Sequence, residues 1–557
     1  MTIRVKANRW WGGLLAAALG SVAWAQDAGT PARAVAAGPR LPVLVVLPPS
    51  TDDATAREYA MLLQARAYGQ LLATGRFALP HIKQVLAMTA GEGLKAEQLR
   101  TPEDAERAAR RLGGDGYVFG QLAADGKGFV LTASAQLVGK KPQKVTLKLD
   151  LNEATVKSIE EGGDALAAAL YKVAVTDKKP LVLQDVPPST LSDPAMRSFA
   201  RCYGTLTRQP AGIENPTVLD EAELRGAVEA CEKAAKDDPG FSGAQAGLAL
   251  AFAILGDDTR AVKALKLVGA ADAMQPLAWQ ARFWLVTRYE SGAAGEQVLR
   301  DAVASQPGFL LARSYLAELL DTLSEHEKAG AAWRTYSELV PGDPFIRTRL
   351  ARSLARQGKH AEAIALAKEV SAANPGSRDA RLQLASCFID ANQWDDAVGV
   401  LEQLRALPEA SAEVFLRLGW ASFRKGEPAA AKPLYEEALA RSGKPSQWRM
   451  RGRAHYDLAL VHLKSGEPAK AEESLKAALA TGFRLREVDP AAQPILKKIE
   501  RADLSNARGK PPYRLLPKAP ALPREVSLFP VNAFGEVDPN AKPEAPEGFM
   551  WSTGDFK

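Results

Sequence analysis

Cysteine is scarce. Cys202, Cys231 and Cys387 are the only three in 557 residues, too few for a disulfide framework. Cys202 and Cys231 can pair across one hairpin in an oxidising compartment, but the reading adopted is three buried free thiols. Histidine is nearly as rare: His81, His326, His360, His455 and His462. His455 and His462 stand two turns apart on one helical stretch, too far along the axis to chelate one metal without a third element. No P-loop, no G-x-G-x-x-G after a strand, no H-E-x-x-H and no G-x-S-x-G elbow occurs. Paired acids such as Asp257-Asp258 and Asp395-Asp396 fall at turns or helix starts, where they cap and complement the helix dipole. No catalytic, cofactor-binding or metal-ligating residue emerges, so an enzyme is not expected and no cofactor is implied.

Charge of one sign is not in large excess, and long apolar runs are missing. The formal net charge is +6. Arg4, Lys6 and Arg9 supply three of those charges in a stretch without acids, followed by apolar Trp10–Val22 and the A-x-A form Ala23-Trp24-Ala25. This reads as a secretory signal over residues 1–25. Its removal leaves about +3 on the rest of the chain, which is poor support for nucleic-acid binding. The apolar run is too short for a confident membrane span, and no later stretch is long enough for one. With 46% hydrophobic and 24% charged residues, sizeable cores are available. At 557 residues there should be more than one.

What the chain has in abundance is a repeat. Small residues recur at a spacing of 34: Ala227, Ala261, Gly295, Ala329, Ala363, Ala397 and Ala431. Ala471 follows after 40, which places six extra residues near Ser442–Met450. Units starting at 242, 276, 310, 344, 378, 412 and 452 put Leu248, Leu316, Leu350, Leu384, Leu418 and Leu458 at the seventh position, with Arg282 departing. The eighth position holds Ala249, Ala317, Ala351, Ala385, Gly419 and Ala459, with Phe283 departing. Pro239, Pro307, Pro341 and Pro375 end second helices, and pairs such as Gly358-Lys359 and Gly426-Glu427 mark the turns.

This pattern resembles the tetratricopeptide repeat, a helix–turn–helix unit, over roughly residues 195–480. The resemblance implies a mainly α fold, a right-handed α-solenoid of about eight helix-turn-helix repeats. One hairpin cannot bury its own apolar stripe, so neighbours stack and share a core. The resemblance also implies a concave face lined by the first helix of each pair. Its positions here include Trp284, Arg288, Glu318, Asp321, Arg352, Arg356, Trp420, Arg424, Tyr456 and Lys464. Arginine and aromatic residues anchor protein interfaces, and the cations suit a partner carrying carboxylates. The Asn that a carboxylate clamp needs is replaced by Trp284, Glu318, Arg352, Ser386 and Trp420.

Residues 40–178 lack the repeat and read as a small α/β domain after a flexible leader at 26–39. A buried strand is expected at Leu41–Leu47, helices at Ala54–Thr74, Pro102–Leu112 and Asp164–Val175, and an antiparallel meander at Gly116–Leu122, Gly128–Val138 and Lys144–Leu151. The strand ending in Leu47-Pro48, and Leu112–Gly120 before the meander, resemble the TolB amino-terminal-type domain. A linker is expected at 179–194, the solenoid at 195–482, a capping helix at 483–509 and a Pro-rich extended tail at 510–557. The tail interleaves its prolines with Tyr513, Phe529, Phe534, Phe549, Trp551 and Phe556, which suits packing along the solenoid or onto a partner.

The expectation is an exported scaffold that assembles or stabilises a cell-envelope complex through its repeat groove. It would be periplasmic, peripheral to the outer membrane, or secreted, with other envelope proteins as partners. The alternative is a ligand- or polymer-sensing envelope protein whose α/β domain binds a small molecule.

Overall fold

A computed structural model describes residues 41–91, 99–125, 128–139, 145–151, 156–175, 190–208, 217–218, 221–268, 276–341, 343–408, 410–443, 447–481, 489–499 and 525–526. The expected signal and leader, most of the linker and most of the tail lie outside the described residues. No described helix is long and apolar enough to cross a membrane.

The amino-terminal part is a sheet covered by helices. β1 (Leu44–Val46) is followed by α1 (Ala54–Ala73), α2 (Ile82–Gly91) and α3 (Pro102–Arg111). Then come β2 (Gly116–Asp125), β3 (Gly128–Leu137), β4 (Val145–Leu151) and α4 (Val156–Ala174). The strands lie in sequence order, with β1 parallel to β2 and the rest antiparallel. A parallel pair needs a crossover, and α1 to α3 supply it. Asp53 caps α1 through the Ala56 amide, and Thr101 caps α3 through the Asp104 amide. α4 packs on the sheet and on α1. Gly163 permits the second contact, since a Cβ there would stand 2.5 Å from Arg66 Cβ. Arg66 Nε then donates to Asp164 Oδ1 at 2.8 Å, and its other arm reaches Oδ2 at 3.1 Å. The expected meander and opening strand are present. α2 has no counterpart in the sequence-based expectation, and α4 begins eight residues earlier than expected.

The rest of the described chain is eight helical hairpins. The first is α5 (Asp193–Arg208) with α6 (Glu221–Asp237), followed by α7 (Ser242–Leu255) with α8 (Asp258–Leu265), and α9 (Pro276–Tyr289) with α10 (Gly292–Ser305). Next come α11 (Leu310–Thr322) with α12 (His326–Leu339), and α13 (Pro344–Arg356) with α14 (His360–Ala373). The last three are α15 (Arg378–Asp390) with α16 (Trp394–Arg405), α17 (Ala412–Arg424) with α18 (Pro428–Arg441), and α19 (Trp448–Lys464) with α20 (Pro468–Ala480). Six first helices begin at the unit starts read from sequence, and α19 begins four residues before 452 because the extra residues lengthen it. Each hairpin packs on the next, as a solenoid requires.

The small residues of the register lie at the crossings. Ala227, Ala261, Ala329, Ala363, Ala397, Ala431 and Ala471 are all completely buried. At Gly295 a Cβ would approach Thr287 Oγ1 to 2.1 Å, so nothing larger fits without movement. Where Phe283 takes the small position, it stacks with Trp279 and lies 5.7 Å from the Tyr315 ring. An aromatic cluster replaces the close helix contact there.

Cys202 and Cys231 are joined as a disulfide with Cα atoms 5.5 Å apart, linking α5 to α6. This corrects the reading of all three cysteines as free thiols; Cys387 alone is free, and buried. The two cysteines face each other across the first hairpin, within the separation a disulfide spans. Gly247 of α7 lets the bond pack, because a Cβ would stand 2.6 Å from Cys231 Sγ.

The α/β layer is seated on the repeats in two places: α1 packs on α5 of the first hairpin, and the segment Phe77–Gln84 meets later hairpins. The Leu79 amide donates to Gly308 O at 3.0 Å, and Leu79 forms a parallel bridge with Phe309. Lys83 Nζ donates to Gln280 Oε1 at 3.0 Å, and Gln84 Nε2 to the Tyr336 hydroxyl at 2.7 Å. Arg111 reaches the Asn374 side-chain oxygen. Val43 and Ala78 join Leu310, Ala317 and Trp333 in one hydrophobic cluster. The layer therefore touches the first hairpin and the third to fifth.

Two short strands link distant parts of the sequence. β5 (Thr217–Val218), in the α5–α6 connection, pairs antiparallel with β6 (Glu525–Val526) from the expected tail. At the other end, residues 493–499 are helical. The Asp489 amide donates to the Tyr456 hydroxyl at 2.8 Å and ties this segment to α19.

Candidate protein-binding face

The ten residues read from sequence divide into two groups. Trp284, Glu318, Asp321 and Tyr456 are buried. Trp284 lies under Arg288, whose guanidinium is 5.8 Å from the ring and is ion-paired with Asp258. Asp321 accepts from Trp333 Nε1 at 3.0 Å and Ser353 Oγ at 3.1 Å, and Arg356 stands 3.7 Å away. This carboxylate joins α11, α12 and α13. Such buried acids survive because their lone pairs are satisfied. In the third and fourth hairpins these positions thus serve internal packing.

From the fifth hairpin onward the face is open except at Tyr456, whose hydroxyl accepts from the Asp489 amide. Arg352 and Trp420 are half-buried; Arg356, Arg424 and Lys464 are exposed. Arg424 lies 5.0 Å from the Trp394 ring and 5.3 Å from Trp420, and Arg453 lies 5.1 Å from the Trp420 ring as well. Trp420 also stacks on Phe423 at 6.0 Å. Stacking of this kind holds guanidinium groups in place at little loss of hydration. Trp394 and Arg453 are not singled out by the sequence reading. Arg453 occupies the second position of its unit, one of the concave positions, so the register alone contains that signal; Trp394 opens a second helix and carries no such mark.

Electrostatics separate the cations. Arg453 Nε contacts both oxygens of Asp457 at 2.8 and 2.9 Å. Burial nevertheless raises the Asp457 carboxyl to about 6, with Arg453 opposing. Arg424 has no carboxylate partner among the described residues; its contacts are the two indole rings. It is free to pair with a carboxylate from outside.

Buried Asp343 caps α13, accepting from the Phe345 amide at 2.8 Å and from Ile346 at 3.4 Å. Burial raises its carboxyl to about 7, while the two amides pull it down. An acid whose folded value lies above its unfolded one, near 3.9, holds a proton that the unfolded chain has released. Its contribution to stability is therefore lost as pH rises from about 4 to 7. Asp343→Asn keeps the cap and removes the titration. It should stabilise the protein by about 1 to 2 kcal/mol at pH 8, the helix N-terminus tempering the burial effect. The gain should vanish at pH 4, as read by urea denaturation at the two pH values.

Among the described residues, no group of three or more His, Cys, Asp or Glu side chains is placed to hold a metal ion. Two tetratricopeptide repeat family models match the chain, over residues 354–415 and 416–486. No curated protein matches it. Solved structures similar to it include yeast Tom70, 11% identical, with a TM-score of 0.40 over 83% of this chain and 84% of that one. TTC0263, a thermophilic TPR protein of Thermus thermophilus, is 19% identical, with a TM-score of 0.29 over 35% of this chain and 99% of its own. PilW, a type IV pilus biogenesis factor, is 18% identical, with a TM-score of 0.30 over 41% of this chain and 94% of its own. The matched residues run from α13 to beyond α20 and enclose the open stretch apart from Arg352, from Arg356 to Lys464: the chain carries tetratricopeptide repeats.

Proposed function

We propose that the protein is an exported scaffold that binds other envelope proteins through the open stretch of its repeat face, from Arg352 to Lys464, and so assembles or stabilises an envelope complex. The observation that carries this reading is the stack of Trp394, Arg424, Trp420 and Arg453. Aromatic and arginine side chains held in place at a surface are the residues that dominate binding energy. Export is supported by the signal-like residues 1–25 and by the Cys202–Cys231 bond, since disulfides persist in oxidising compartments. The α/β layer, read as TolB amino-terminal-type from its opening strand and meander, braces the earlier hairpins in this scheme.

Crosslinking in the native cell, followed by capture of the chain, tests the proposal. A specific envelope partner should be recovered, and Trp420→Ala with Arg424→Glu should weaken its binding by about 2 kcal/mol or more. Arg424 is exposed, so Arg424→Glu alone should weaken binding while hardly moving the melting temperature; Trp420→Ala also removes the stack on Phe423. Recovery of the same partner by the double variant would end the groove assignment. The purified envelope form should begin at Gln26 by mass spectrometry; an intact Met1 would end the export assignment.

A further inference from the structure

We propose that the chain's own carboxy-terminal segment, residues 527–557, docks on this open face and competes with outside partners. The inference rests on the reading of the face as a protein-binding surface. Its starting point is the β5–β6 pair, which anchors residues 525–526 at the first hairpin. From that anchor 31 residues remain. Extended at about 3.1 Å per residue, as in polyproline II, they reach about 100 Å. Helices pack about 10 Å apart, so roughly six steps along the array, to Trp420 and Arg424, lie within reach.

Charge decides which segment fits. Residues 527–557 carry Glu536, Asp538, Glu544, Glu547 and Asp555 against Lys542 and Lys557. Residues 500–524 have the opposite balance, six Lys and Arg against Glu500 and Asp503, and would be repelled by the same face. The open face presents Arg424 and Lys464, together with Arg352 and Arg356, which already act on the Asp390 carboxylate; among the described residues Arg424 has only aromatic contacts. Phe549 and Trp551 adjoin Glu547, pairing an apolar group with a carboxylate in the way the Trp420–Arg424 site presents a ring beside a cation. A tail docked there is a tethered competitor at high effective concentration.

The test is a titration with a synthetic 527–557 peptide, using the intact chain and a chain ending at residue 526. That truncation keeps every described element. The truncated chain should bind the peptide about tenfold more tightly than the intact chain, whose own tail holds the site. Arg424→Glu in the truncated chain should weaken binding about tenfold. So should replacing Glu536, Glu544 and Glu547 of the peptide by Gln, a change that leaves the protein untouched. Raising salt should weaken binding further. Equal binding by intact and truncated chains, or by native and neutralised peptides, overturns the proposal. Partner capture in the cell, read separately, would still stand in that event.

Discussion

Gly308→Ala should be among the most damaging single substitutions in the protein, because it drives a wedge between the α/β layer and the repeats. A Cβ at this position would stand 1.8 Å from the Phe77 carbonyl oxygen. The obstacle is backbone, so no rotamer change relieves it. Overpacking ordinarily costs about 1 to 3 kcal/mol, and this site belongs at the upper end or above. The segment that must move is the one that carries the Leu79–Gly308 hydrogen bond and the contacts of Lys83 and Gln84. The measurement is urea denaturation together with hydrogen exchange at the Leu79 amide. Stability should fall by about 3 kcal/mol, and exchange at Leu79 should accelerate before that of the later hairpins. Unchanged protection at Leu79 would mean that the layer is not seated there.

Removing the disulfide should cost a similar amount by a different route. Cys202 and Cys231 are separated by 29 residues. Opening a loop of that length restores unfolded-chain entropy worth about 3 to 4 kcal/mol. The Cys202→Ala, Cys231→Ala double variant should lose that much in urea denaturation, and reductant should destabilise the parent but not the variant. Cys387→Ala provides the contrast. That thiol is unpaired and buried, with burial raising it to about 11, so its loss should reflect packing alone and be indifferent to reductant. If reductant leaves the parent unaffected, the bond does not contribute in solution.

The repeats are legible in the sequence because a helix crossing leaves a mark that survives variation elsewhere. Ala261, Ala329 and Ala363 can hardly be larger without parting two helices, so the interval stands out even where Arg282 and Phe283 break the pattern. The meander is legible from alternation, as in β2, where Gln121, Leu122 and Ala123 run exposed, buried, exposed. The seating of the α/β layer is not. Phe77–Gln84 has neither period, and its meaning lies in partners about 200 to 250 residues away, Gln280 and Tyr336. The same holds for the face. Register identifies Trp284, Glu318 and Asp321 as concave positions but cannot show that internal partners occupy them. Nor can it show that Trp394, from a second helix, completes the stack with Trp420. The disulfide stands open as an alternative in the sequence, and only the facing of α5 and α6 decides it.

The attachment of the α/β layer has a consequence for how the array comes apart. Hairpins that touch only their neighbours fray from whichever end is less held. The first is clipped by a covalent bond and packed against α1, and the third to fifth are held by the layer. Among the described residues, the seventh and eighth, which carry Trp420, Arg424 and Lys464, are held by their neighbours and the short segment tied by Tyr456 alone. The stretch proposed for recognition is thus the one with the least scaffolding among the described residues, and an occupant there would stiffen it by mass action.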